Sequence, residues 1–359
     1  MILYMWQELL ELLTAGFLAI PEGVKVVFTD AGSGYVRLDA NWTTWAAGVY
    51  YHTAMLDGVA NQLTEMVPVS RIAQQLINVV TYSKETVMLI DNLSDLKPVP
   101  MTTTAVFDLA WDPSPWNATQ DFNATARAWY ARFAADYAGL DAANAAIYAE
   151  MWEGYFNIPY VFSGTSDNLL ARLGAEAAEA IAADWVRGAG VSPATSKKVA
   201  GDAAQVSAPD SLATLLALNT TAMMLLQAVP PARRGFFVSH VLVQLSTHIA
   251  VVNALVQLEV AAGVLTNASA GGAGLPFVEA ALQGLDTLLT LRRVTEGDPA
   301  PGPGGAVNMP AAWPLRAYFL ADSLSDMNSV RGAVATLLLS LRSPLKTPLL
   351  PVRGSVWYQ

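Results

Sequence analysis

The stretch "TVMLIDNLSDLKPVP" (Thr86–Pro100) decides how this chain is to be read. An apolar run, Val87 to Ile90, turns polar at Asp91 and Asn92 and continues through Ser94, Asp95 and Lys97 into two prolines. A short apolar run of this kind is the pattern of a strand covered on both faces by helices in a parallel sheet. Polar side chains gathered at such a strand end are either the rim of a site or only the loop that follows.

The residues before this stretch continue the alternation. "MILYMWQELLELLTAG" (Met1–Gly16) reads as a helix, "VKVVFT" (Val24–Thr29) as a strand followed by the turn "DAGSG", and "AAGVYYHTA" (Ala46–Ala54) as a second strand. "VSRIAQQLINVV" (Val69–Val80) reads as a helix with Ile72, Leu76 and Val80 on one face, and "TVMLIDN" (Thr86–Asn92) as the third strand. Helix–strand alternation of this kind belongs to α/β folds. From about Thr103 onward every segment is helical by period and by Ala/Leu content, with breaks at "PPARRG" (Pro230–Gly235) and "GDPAPGPGG" (Gly297–Gly305). The expected fold class is therefore α/β plus all-α. Residues 1–102 would form a partial sheet of about three parallel strands, 103–345 a helical bundle and 346–359 a tail. Three strands leave open edges, which need cover from the bundle, from a second copy in a homodimer, or from barrel units outside this sequence.

The composition bounds the partners. The chain has 359 residues, 53% of them hydrophobic and 14% charged, which suits a large core rather than disorder. A net charge of −10 with no basic patch argues against a nucleic-acid partner. The absence of cysteine removes disulfides, thiolate zinc sites and cysteine nucleophiles. The longest apolar stretch, Gly235–Leu265, contains Ser239, His240, Gln244, His248, Asn253, Gln257 and Glu259. So many polar groups suit a buried bundle helix better than a membrane span. No cofactor or metal motif is present. His240 and His248, eight residues apart, lie roughly 80° apart on a regular helix, so they read as satisfied core histidines.

The N-terminus lacks a basic region and carries Glu8 and Glu11, so it reads as an amphipathic helix and not as a signal peptide. Six N-x-S/T sequons, at Asn41, Asn92, Asn117, Asn123, Asn219 and Asn267, occur among 14 asparagines. Chance predicts about two, taking Ser plus Thr as about an eighth of residues. The excess suggests a secreted, extracellular parent protein whose beginning is not in this sequence.

Three motifs, in order and spacing, carry a resemblance: "AGVYYH" (Ala47–His52), "NLSDLKP" (Asn92–Pro98) and "FDLAWDPSPW" (Phe107–Trp116). Together with "PPARRGFFVSHVLVQLSTHIAVVNALVQLEVAAG" (Pro230–Gly263) they resemble glycoside hydrolase family 115, the xylan α-1,2-glucuronidases. That family shows a strand ending "D-D-N-W/F-G-N-I-R", then "GAGVYYH", a helix with "W-E-Q-M", "V-N-V-G-D-L-K-P" and "AW-(N/D)-P". The resemblance implies the last units of a catalytic (β/α)8 barrel (TIM barrel) followed by a helical bundle. It also implies carbohydrate metabolism as the setting, with release of (4-O-methyl)glucuronic acid from glucuronoxylan or glucurono-oligosaccharides in xylan degradation.

Glycoside hydrolysis generally uses two carboxyl groups about the scissile bond, and a uronic acid also needs donors for its own carboxylate. On the resemblance, Asp30 takes the first Asp of "D-D-N" and is the candidate catalytic carboxylate; a local turn cap is its other reading. Ala31, Gly32 and Ser33 replace the motif's second Asp, Asn and aromatic. Tyr51 and His52 of "AGVYYH", with Asn92 and Lys97, are the candidate substrate-binding residues. His52 reads equally as a histidine bonded to a backbone carbonyl, and Lys97 as a partner of Asp95. Gln74 stands where "W-E-Q-M" has Glu, and an amide cannot act as a base. Two readings follow: an active α-glucuronidase, or an eroded, non-catalytic pseudoenzyme serving as a structural or carbohydrate-binding module.

Overall fold

The computed structural model describes all residues except 33, 38–45, 54–63, 84, 94–98, 118–120, 164–166, 189, 268, 297–329 and 343–359. The chain forms two compact units, Met1–Phe156 and Asn157–Gln359.

The first unit is built on a parallel four-stranded sheet in the order β1-β2-β3-β4. Its strands are β1 (Ile2–Met5), β2 (Lys25–Thr29), β3 (Ala46–His52) and β4 (Glu85–Asn92), with α1 (Gln7–Thr14) between β1 and β2 and α2 (Val69–Tyr82) between β3 and β4. This arrangement fits part of a (β/α) barrel. The sequence predicts about three strands and a helix from Met1. In the structure Ile2–Met5 are a strand, paired Ile2 to Lys25 through Met5 to Phe28, and the helix begins only at Gln7. A four-residue strand is too short to show a period against the helical pattern that follows, and its pairing with β2 decides the matter.

Alternation of side chains gives the sheet two unlike faces. Met5, Val26, Phe28, Ala47, Val49 and Tyr51 are buried on one. On the other, Tyr4 is exposed and Tyr50, Met88 and Ile90 are half-buried. Gly48 sits where the β3–β4 register shifts, and a Cβ there would lie 2.8 Å from Met88 Cγ and 2.9 Å from Met88 O. Only glycine allows the strands to approach so closely. On α2, Ile72 and Leu76 are buried as the period predicts, but Val80 is exposed and Val79 takes the core side.

After Asn92 the described elements are helical. α3 (Pro100–Trp111), α4 (Ser114–Asn117), α5 (Phe122–Phe133) and α6 (Ala142–Phe156) complete the first unit. The stretch from Asn117 to Phe156, predicted as one helical run, is interrupted by a π-helical turn at Ala134–Ala138, by Gly139 and by Asp141, whose Oδ1 accepts the Asn144 N–H. Trp129, Tyr130, Phe133, Trp152, Tyr155 and Phe156 pack as buried aromatic neighbours across α5 and α6.

The second unit contains α7 (Pro159–Ser163), α8 (Asp167–Val186), α9 (Pro193–Gln205), α10 (Ala208–Ala228), α11 (Arg234–Phe237), α12 (Val243–Val264), α13 (Gly271–Glu296) and α14 (residues 330–342). A π-helical turn, Val238–Leu242, joins α11 to α12. α12 is apolar around its whole circumference and packs against α8, α9, α10 and α13, as an all-round hydrophobic helix must. α9 was not anticipated, although Ser192 before Pro193 is a readable start: its Oγ accepts the Thr195 N–H. α10 starts at Ala208 rather than near Ser211, whose hydroxyl instead donates to the Val206 carbonyl. Ala208–Ala228 and Pro231–Val264 both reach the length and hydropathy of a membrane span; 72% of the second one's most apolar window is buried inside the protein and 22% of the first one's.

Candidate active site at the C-terminal end of the sheet

The strands end together, so Asp30, His52, Asp91 and Asn92 come to one edge. β3 and β4 pair Tyr51 with Asp91 and His52 with Asn92. β2 lies one register step away, with Thr29 opposite Tyr50.

Asp30 is buried and fully engaged. Its Oδ1 accepts the Gly32 N–H at 2.9 Å and pairs with His52 Nδ1, and its Oδ2 accepts the His52 main-chain N–H at 2.9 Å. One carboxyl group thus fixes both the backbone and the ring of His52. His52 is also buried, and its ring meets Tyr50 edge-on at 5.2 Å; Tyr50 in turn lies 5.2 Å from Trp6.

The loop after β2 folds back on itself. Ala31 N–H donates to Tyr35 O, Arg37 N–H donates to Thr29 O, and Asp30 bridges antiparallel to Val36. Gly34 has φ +76°, and a Cβ there would lie 2.8 Å from Val67 Cγ1 and 3.0 Å from the Tyr51 hydroxyl. The loop is anchored by Tyr51, whose hydroxyl donates to Gly34 O at 2.9 Å, and by Gln75, whose Oε1 accepts the Val36 N–H at 3.0 Å. Arg71 is buried beside it, with its guanidinium 4.5 Å from the centre of the Tyr35 ring.

Asp30, His52 and Asn92, three of the residues read from the sequence, are therefore gathered at one edge. Tyr51 lies on the helix-covered face, and burial there pushes its hydroxyl well above the usual tyrosine range. Gln74 is exposed on α2, while its neighbour Gln75 is the buried one. Lys97 lies outside the described residues. In "FDLAWDPSPW" the interactions hold helices together: Asp108 Oδ2 accepts from Trp129 Nε1 at 3.0 Å and Arg132 Nη2 at 2.5 Å, and Trp116 is buried. His240 and His248 are both buried in the second unit, and His248 Nδ1 hydrogen-bonds the Tyr160 hydroxyl at 2.8 Å. Among the described residues no group of three or more His, Cys, Asp or Glu is placed to hold a metal ion.

Asp91 was seen in the sequence but given no role. It is partly buried, and Thr53 Oγ1 lies 3.1 Å from its Oδ1 and 3.3 Å from its Oδ2. Burial raises its pKa to about 7, against the hydrogen bonds from Thr53 and the nearby His52, which favour the charged form. Its last-but-one place on an apolar strand was the available signal.

Residues 1–161 match the model of glycosyl hydrolase family 115. Through this segment the chain belongs to glycosyl hydrolase family 115. A solved structure of a GH115 4-O-methyl-α-glucuronidase with specificity for decorated arabinogalactans has the same fold over 79% of this chain, with a TM-score of 0.50 and 16% identity. The chain spans 34% of that protein's length. No curated protein matches the chain. A carbohydrate substrate is consistent with the GH115 assignment.

Proposed function

We propose that this GH115 chain takes part in hydrolysis of α-linked (4-O-methyl)glucuronic acid from plant polysaccharide. The observation that carries the reading is the row Asp30–His52–Asn92 at the strand ends of a segment that belongs to this family. In this reading the sheet is the C-terminal part of a (β/α)8 barrel, whose strand ends hold the chemistry. His52 accepts the proton of the attacking water. Asp30 positions its ring and stabilises the imidazolium that forms, as a buried carboxyl group does for a neighbouring histidine. Asn92 hydrogen-bonds a sugar hydroxyl. The exposed sequons at Asn123 and Asn267 support secretion of the parent protein.

The test is release of 4-O-methylglucuronic acid by the purified chain. Glucuronoxylan and a glucuronate-decorated arabinogalactan serve as parallel substrates, the second because the structural relative named above is specific for that class. Release from either substrate, lost on His52→Ala, is expected. No release from both overturns the reading. The second reading, a carbohydrate-binding module, is favoured by Gln74, which puts a neutral amide at a family Glu position. It predicts retention on a polysaccharide affinity gel without turnover.

A further inference from the structure

The proposed hydrolysis needs a proton donor for the departing oxygen as well as a base for water. Asp30 is engaged by three donors, and Gln74 is an exposed amide. Asp91 is a different case. In the family pattern "V-N-V-G-D-L-K-P" an apolar residue precedes the Asn; here that position is Asp91, immediately before Asn92. A carboxyl group is thus missing on α2 and present at the end of β4, one strand away from the Asp30–His52 pair.

We propose that Asp91 is the general acid of this chain, protonating the glycosidic oxygen, with the Thr53 hydroxyl holding its carboxyl group in place. The inference rests on the hydrolase reading above. Asp91 stands at the strand end, is partly open, and is bonded across to β3 by Thr53 through both oxygens. The groups that face it are Tyr51, His52 and Thr53 from β3 and Asp30 from the loop after β2. A protonated form that persists near neutral pH suits a proton donor. In the step, the bond between the anomeric carbon and the glycosidic oxygen breaks and its electron pair stays on that oxygen, which takes the proton of Asp91. Water adds to the anomeric carbon and gives its extra proton to His52. Solvent then returns one proton to Asp91 and removes one from His52, so the net reaction consumes one water.

The experiment compares wild type with Asp91→Asn on two substrates. One is a glucuronoxylo-oligosaccharide, whose leaving alcohol needs a proton; the other is a nitrophenyl glucuronide, whose leaving phenolate does not. Urea unfolding verifies that the variant is folded, and Asp91→Glu, which keeps a donor, is measured beside it. The expected result is a loss of about 100-fold or more in kcat/KM on the oligosaccharide and less than about tenfold on the nitrophenyl substrate, with partial recovery in Asp91→Glu. Equal loss on both substrates, or no loss on either, overturns the acid role while leaving the hydrolase reading intact. Wild type that releases glucuronic acid from neither substrate overturns the hydrolase reading and the acid role with it.

Discussion

A single carboxyl group, that of Asp30, binds His52 twice: Oδ2 accepts the main-chain N–H and Oδ1 pairs with Nδ1 of the ring. The end of β3 and the orientation of its histidine are therefore set from the neighbouring strand β2, not from β3 itself. Asp30→Ala would leave the Gly32 N–H, the His52 N–H and the His52 ring without their acceptor in a buried place. A loss of about 3 kcal/mol is expected, read as a fall in urea midpoint. Asp30→Asn keeps one acceptor oxygen and is expected to lose less.

Glu65 performs a similar task for a helix. It is buried, and its Oε1 accepts the Met101 N–H at 2.8 Å while Oε2 accepts the Thr102 hydroxyl at 2.5 Å. α3 has no side-chain cap of its own at Val99. Glu65 thus caps α3 from a distant point in the chain, and its own carbonyl accepts the Tyr155 hydroxyl at 2.8 Å. Glu65→Ala is expected to cost about 2 kcal/mol or more, and Glu65→Gln clearly less, in equilibrium unfolding.

Two glycines should respond in opposite ways to alanine. At Gly34 the φ of +76° and the close Val67 and Tyr51 atoms leave no room for a Cβ. Gly34→Ala is expected to destabilise by about 1–3 kcal/mol. Gly201 lies inside α9 and is exposed, with nothing within 4 Å of the added Cβ. Gly201→Ala is expected to stabilise by about 0.5–1 kcal/mol, with both variants compared by thermal unfolding.

Two buried groups predict a pH profile. Burial lowers the pKa of His248 from 6.5 to about 3, so the unfolded chain binds this proton first. Its contribution is intact above pH 6.5 and is lost as pH falls towards 3, on the order of several kcal/mol in all. Asp91 acts in the other direction. Its folded pKa of about 7 exceeds the ordinary 3.8, so stability falls as pH rises from about 4 to 7, by an amount reduced by its partial exposure. Urea midpoints from pH 4 to 8 measure both. His248→Gln should flatten the acid side, and Asp91→Asn should raise the midpoint at pH 8 while leaving it unchanged near pH 4.

Some of this was legible before any coordinates. The apolar run before Asp91, the glycine and histidine of "AGVYYH", the parallel sheet and the helical remainder all follow from period and composition, because those signals are local. So does the buried character of the Gly235–Leu265 stretch, which forms α11, the π turn and α12. That Ile2–Met5 join the sheet, that Gln75 rather than Gln74 turns inward, and that Val79 replaces Val80 in the core depended on pairing and helix phase. Neither is written in any one segment. The convergence of Asp30 on His52, the cap that Glu65 lends to α3 and the bond from Thr53 to Asp91 join residues 22, 36 and 38 positions apart. The sequence determined which strands and helices exist and that polar groups stand at the strand ends. The tertiary structure decided which of those groups meet, because a hydrogen bond of about 3 Å depends on the stacking of whole strands and not on any local preference.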